Sequence, residues 1–227
     1  GGGAVIDYTK HLIHFAHLNK IRVENFIVTP TTAGSGSEMT EFAVLYKENG
    51  TKISIQNKYL KPDHVYYKYD TLVNASNNLI ISSGLDSICQ SMESILSKKS
   101  SKTSIFLSET SLTLGIKYLP ILIKDRSENN AKGMFLASRL AGESINMTKT
   151  TAAHAYSYYL TYHHNIPHGI AVAMVLEKLI KQLKEVSLES YDKINSFFRV
   201  SGYNDFSGFL NQFNIGKYDL KGLNEDL

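Results

Sequence analysis

The spacing of apolar and polar positions changes character near residue 80. Before it, short apolar runs alternate with turns rich in small residues. Residues 5–16 read as a helix entered from the turn Gly1-Gly2-Gly3. Phe26-Ile27-Val28, aromatic and β-branched, predicts a short buried strand. A loop of small residues follows, Thr29-Pro30-Thr31-Thr32-Ala33-Gly34-Ser35-Gly36-Ser37-Glu38. Residues 42–46 and 52–55 flank Glu48-Asn49-Gly50, the signal of a hairpin. Val65-Tyr66-Tyr67 predicts a further strand. From about Ser82 the period is helical, with Leu85, Ile88, Cys89, Met92, Ile95 and Leu96 on one face. Further helices are predicted over 103–116, 130–146, 151–162, 169–184 and 188–200, with Pro120 and Pro167 between helices. The tail from Gly202 has no clear period, and no internal repeat is apparent.

Composition narrows the class. The chain has 227 residues, 43% of them hydrophobic and 20% charged, which speaks against disorder. A net charge of +3 is too mild to argue for nucleic acid or a membrane surface, and the short basic run at Lys98 and Lys99 reads as a solvated face. No run is as uniformly apolar as the ~18 residues of a membrane span. The single cysteine, Cys89, excludes an internal disulfide framework and suits a reducing, cytoplasmic compartment. The opening Gly1-Gly2-Gly3-Ala4-Val5, without Met, is neither a signal nor a transit peptide. It predicts further residues upstream.

Four constellations could carry chemistry. The glycine turn lets backbone approach a phosphate at a helix N-terminus, although a plain turn or a tag remnant gives the same residues. The loop 31–38 offers hydroxyl donors beside glycines, and a simple Gly/Ser connector reads equally well. Asp86, Gln90 and Glu93 stand at i, i+4 and i+7, one polar stripe on a helix. A carboxylate at the edge of a buried face needs a partner or a cation. A solvated helix face is the plain alternative. His154 and His168 are fourteen residues apart. On one unbroken helix they would stand about 21 Å apart, too far to share a metal. The turn at His164-Asn165-Ile166-Pro167 lets two successive helices bring them together. A structural histidine is as good a reading of either. His163 and His164 read as loop residues, and His11, His14 and His17 as an exposed or packing stripe.

In this order the segments resemble the iron-containing (group III) alcohol dehydrogenase family. The matching stretches are GGGAVIDYTK at 1–10, TPTTAGSGSEMT at 29–40, SGLDSICQSMES at 83–94 and AGESINMTKTTAAHAYSYYLTYHHNIPHGIAVAM at 141–174, with little beyond about residue 175. The resemblance implies an α/β plus all-α fold of the dehydroquinate synthase-like kind. A partial dinucleotide-binding α/β domain over 1–80 would precede an all-helical metal-binding domain over 81–227. It also implies that the chain is incomplete at both ends. The family's pyrophosphate turn falls on Gly1, Gly2 and Gly3, with Asp7 and Lys10 in the helix that follows. Its cofactor loop falls on Thr31 and Thr32, then Ser35 and Thr40, and a cofactor-contacting lysine on Lys52. Its metal ligands fall on Asp86, His154 and His168. The second ligand position, usually His, is Gln90 here, and a further frequent His is Tyr158. Glutamine is a weaker, oxygen-donating ligand, and a catalytic metal needs only three protein ligands plus an open position.

The activity implied is hydride transfer between NAD or NADP and a small alcohol or aldehyde, with Fe²⁺ or Zn²⁺ as Lewis acid and Asp86, His154 and His168 at the reacting centre. A homo-oligomer is implied, and no nucleic-acid or membrane partner. The stretch 146–154 is similar to a subgroup that includes phosphonoacetaldehyde reductases, where Lys149 would suit an anionic substrate; a surface charge at a helix start is the alternative. Tyr158 is a candidate for proton handling or simply packs. Two other functions stay open: a catalytically degenerate remnant of the family, and a dehydroquinate-synthase-like cyclase.

Overall fold

The computed structural model describes residues 1–46 and 52–218. Helix α1, Gly3–Leu18, starts at the glycine turn, where Val5 and Ile6 N–H groups donate to the Gly2 carbonyl. Its buried side chains are Ile6 and Lys10. Ile6 packs with Phe26 and Val28 of the first strand segment. Strand β1, Ile27–Val28, pairs in parallel with β4, His64–Val65. Between them β2, Phe42–Tyr46, and β3, Lys52–Gln56, form the antiparallel pair that the sequence predicts, with Ala43 opposite Ile55. The expected Asn-Gly turn at 48–50 lies outside the described residues.

After the single turn α2, Asp70–Val73, the chain is helical. Helix α3, Asn77–Leu96, is capped by Ser76, whose Oγ accepts from Leu79 N–H. It packs against α4, Lys102–Lys124, α5, Glu128–Thr148, and α7, His168–Val186. Helix α6, Ala152–His164, joins α7 through three residues and packs along it. Helices α8, Leu188–Val200, and α9, Phe206–Leu210, close the end of the bundle, where Phe198 meets Phe206 and Phe209 at 5.2 and 5.4 Å. One apolar core, including Ile88, Met92, Leu112, Phe135, Ile170 and Phe198, runs through these helices.

Two expectations are corrected. Pro120 lies inside α4 and not between helices. Proline removes one helical hydrogen bond, but fully buried Leu119 and Leu122 fix that stretch against its neighbours, and packing outweighs propensity. By length and composition the same helix is long and apolar enough to cross a membrane, which the residue pattern had not suggested. Leu112, Ile116, Leu119 and Leu122 are buried in the bundle.

Candidate metal centre

Helix α3 carries Asp86, Gln90 and Glu93 on one face. They are only 6%, 3% and 1% exposed, so the solvated-face alternative is overturned. With neighbours on several sides, α3 has little free surface for a polar stripe.

The turn that brings the histidines together is visible. Asn165 takes the left-handed conformation at φ +53° and ends α6, then Pro167 starts α7. Gly169 N–H donates to Ser82 Oγ at 3.2 Å. A Cβ on Gly169 would lie 1.8 Å from the Ser82 carbonyl oxygen. Any side chain there would push α7 off α3 and carry His168 away from Asp86.

His154 Nε2 lies 3.2 Å from Asp86 Oδ1, and His168 Nε2 lies 3.9 Å from the same oxygen. One ligand atom from each of these three residues lies within 4.8 Å of the others. Among the described residues no other group of three His, Cys, Asp or Glu side chains converges in this way. Gln90 joins the cluster: its Nε2 donates to Asp86 Oδ1 at 3.2 Å and to the Ser35 carbonyl at 3.3 Å. Its Oε1 is buried without a hydrogen-bond partner. A carboxylate, two imidazoles and an unsatisfied amide oxygen fit a divalent ion.

Behind the cluster stands Glu93, a residue the sequence showed only as the end of a stripe. One carboxylate oxygen meets His154 Nδ1. The other accepts from Thr151 N–H at 2.9 Å, Thr151 Oγ1 at 2.6 Å and Ala153 N–H at 3.1 Å. Burial alone would raise Asp86 and Glu93, but hydrogen bonds and charge from the histidines hold both carboxyls below their ordinary range. Burial opposes charge on His154, yet bonds to Asp86 and Glu93 outweigh it and push its pKa up to about 9. His168 is lowered, first by burial and then by His154 and Lys52, against the pull of Asp86. It is also the accessible member, its side chain 36% exposed.

The glycine turn and the small-residue loop meet. Gly1 amine donates to the Thr29 carbonyl at 2.8 Å, and Thr31 N–H donates to the Gly1 carbonyl at 3.1 Å. A Cβ on Gly2 would lie 3.4 Å from Thr32 Oγ1, and one on Gly3 only 2.5 Å from Ser35 Oγ. Ser35 therefore touches the glycine turn with its hydroxyl and Gln90 with its carbonyl, joining the two candidate regions.

Other expected cofactor contacts are engaged internally. Asp7 accepts from Ser37 Oγ and from Val44 N–H at 2.9 Å. Lys10 is fully buried, and its Nζ donates to the carbonyls of Ser37, Thr40 and Phe42 at 2.6, 2.7 and 3.0 Å and to Thr40 Oγ1 at 2.9 Å. Thr40 belongs to this knot. Lys52 Nζ donates to Tyr158 OH at 3.0 Å, and the Tyr158 ring stacks on His168 at 5.8 Å. The departure at Tyr158 thus lies beside the cluster and is linked to β3.

The remaining histidines do other work. His14 bonds Tyr59 OH at 2.6 Å and exposed His17 stacks on the same ring at 4.1 Å, in keeping with an exposed or packing stripe. His163 and His164 are in the last turn of α6 and not in a loop, because the helix continues to Asn165 before turning. Lys149 is at the C-terminal cap of α5, with φ +64°, and its Nζ lies buried over Phe42 at 4.2 Å. It is no surface charge at a helix start.

Two models of one family match the chain: "Iron-containing alcohol dehydrogenase" over residues 1–69 and "Fe-containing alcohol dehydrogenase family, C-terminal" over 80–212. The second match extends well past residue 175, where the recognisable motifs stop. The 1-propanol dehydrogenase of Salmonella typhimurium is 28% identical over 183 residues, covering 80% of this chain and 50% of that protein. The phosphonoacetaldehyde reductase of Streptomyces viridochromogenes is 28% identical over 157 residues, 68% of this chain and 40% of that one. The chain spans about half the length of the curated relatives it matches. Among solved structures, an iron-containing alcohol dehydrogenase superposes with a TM-score of 0.86 at 29% identity, covering 95% of this chain and 61% of that one. The sulfoacetaldehyde reductase from Bifidobacterium kashiwanohense, in complex with NAD+, superposes at 0.82 with 28% identity, over 99% and 64%.

Proposed function

We propose that this chain, which belongs to the iron-containing alcohol dehydrogenase family, holds a divalent ion between Asp86, His154 and His168 and serves hydride transfer between a nicotinamide cofactor and a small alcohol or aldehyde. The observation that carries the reading is the convergence of three ligand atoms, from α3, α6 and α7, within 4.8 Å. When bound, a divalent ion polarises a carbonyl oxygen and a nicotinamide ring carries the hydride. Asp86 supplies the anionic donor, His154 the buried imidazole and His168 the imidazole open to incoming molecules. Gln90 Oε1 is placed to add a fourth, weaker contact.

The cofactor side of the reading rests on the contact between Gly1–Gly3 and Thr31, Thr32 and Ser35. There the N-terminus of α1 offers free backbone N–H groups to a pyrophosphate. Residues 1–80 would serve the cofactor and 81–227 the metal. Tyr158 OH, hydrogen-bonded to Lys52 Nζ, is the hydroxyl beside His168 that is suited to hold a proton. An Asp and two His accept Fe²⁺ or Zn²⁺ alike.

The test is metal content by elemental mass spectrometry, followed by aldehyde reduction with NADH and NADPH. About one iron or zinc per chain together with cofactor oxidation is expected. A site that stays empty after Fe²⁺ or Zn²⁺ is added would overturn the reading and leave a degenerate family member.

A further inference from the structure

We infer that Glu93 is a positioning residue that holds the His154 ring by Nδ1 and so aims Nε2 toward the ion, while its carboxylate anchors the start of α6; this rests on the metal reading above. Helix α6 begins without help from its own cap, because Thr151 makes no side-chain bond to the first turn. The acceptor comes from another helix. Glu93 Oε1, on α3, accepts from Thr151 N–H at 2.9 Å, Ala153 N–H at 3.1 Å and His154 N–H at 3.4 Å. A carboxylate at a helix N-terminus satisfies orphan donors and the positive end of the dipole together.

The second oxygen of the same carboxylate faces His154 Nδ1. Beside a carboxylate, Nδ1 keeps its proton as a donor. With Nδ1 committed to Glu93, Nε2, the atom 3.2 Å from Asp86 Oδ1, is the nitrogen that would exchange its proton for an ion. A buried metal-ligating histidine needs this arrangement, in which a partner behind the ring fixes tautomer and orientation. One side chain therefore fixes both where α6 starts and which ring nitrogen faces the cluster. Glu93 is 1% exposed, so water has little access to replace it.

The chemistry requires a carboxylate here. Three backbone N–H groups and Nδ1 all present protons to Glu93. An amide in its place has one acceptor oxygen and one donor nitrogen. Glu93→Gln must either oppose the N–H groups of α6 or press a donor against Nδ1, which then gives up its proton and moves it to Nε2. Nε2 then carries the only ring proton, and exchanging it for an ion would leave a costly imidazolate.

The test uses the full chain and Co²⁺ as probe, read by titration calorimetry and by the visible d–d spectrum of the bound ion. Glu93→Gln is expected to weaken Co²⁺ binding about 10–100-fold and to shift the spectrum. Leu160→Ala, a cavity in the same helix away from the cluster, is expected to lower Tm and leave affinity and spectrum unchanged. If Glu93→Gln fails to fold by circular dichroism, Glu93→Asp, which draws the charge back by one methylene, is read in its place. Wild-type affinity and spectrum in the Glu93 variant would overturn the proposal, as would equal weakening in Leu160→Ala. Absence of Co²⁺ binding by the unmodified chain would overturn the metal reading itself, and this inference with it.

Discussion

Lys10 and Asp86 are both buried charges tied to the loop at residues 31–40, Lys10 directly and Asp86 through Gln90. Burial lowers Lys10 to about 8, against the opposing pull of Asp7 and Glu38. Asp86 is lowered by its histidines despite burial. Both would be flagged by perturbed titration alone. Their coordination separates them. The Lys10 ammonium has three protons and meets four protein acceptors, so nothing is left for a ligand. The Asp86 cluster gathers two imidazoles and an amide around one carboxylate, with Gln90 Oε1 unsatisfied and His168 partly open. A saturated charge holds a loop in place, whereas a cluster with spare donor atoms is fit to bind something.

The comparison can be broken at either end. Lys10→Met is expected to cost the most, about 3 kcal/mol, because the Thr40 carbonyl loses its cation and Asp7 its countercharge. Urea titration measures the loss. Co²⁺ binding by the folded variant should persist, and its disappearance would mean that the two clusters act as one. His168→Ala is expected to lower bound metal about 100-fold, worth about 2.7 kcal/mol, and activity with it. Normal metal content in that variant would remove His168 from the site.

Proton linkage sharpens the Lys10 side. Lys10 titrates near 8 in the fold and at 10.5 when free. Between these values the unfolded chain binds the extra proton, so this contribution grows with pH, by at most about 1.4 kcal/mol per unit. It is lost as pH falls through 8. The stability of the unmodified chain relative to Lys10→Met should therefore rise between pH 8 and pH 10, and a flat difference would show that Lys10 keeps its proton. The smallest effect concerns Gln90→His. Metal competition titrations should show unchanged or up to about tenfold tighter binding, since imidazole is the stronger ligand. Complete loss would place Gln90 outside the metal's reach.

What the sequence determined by itself was mostly local. Helical period marked α3 and α8, the apolar runs on either side of Asn49-Gly50 marked the strand pair, and Pro167 marked the break before α7. These follow from a repeat of 3.6 residues and from turn residues, which neighbours along the chain express without help. Motif order also pointed to Asp86, His154 and His168 before any of them was seen together. Packing decided the rest. It buried the stripe of Asp86, Gln90 and Glu93, carried α4 through Pro120 and closed four acceptors around Lys10. It also placed Glu93 behind a histidine 61 positions away. No spacing rule along one helix encodes such a meeting. It depends on how closely α3, α6 and α7 approach, and that is set by volume, by the missing side chain of Gly169 and by which donors remain to be satisfied.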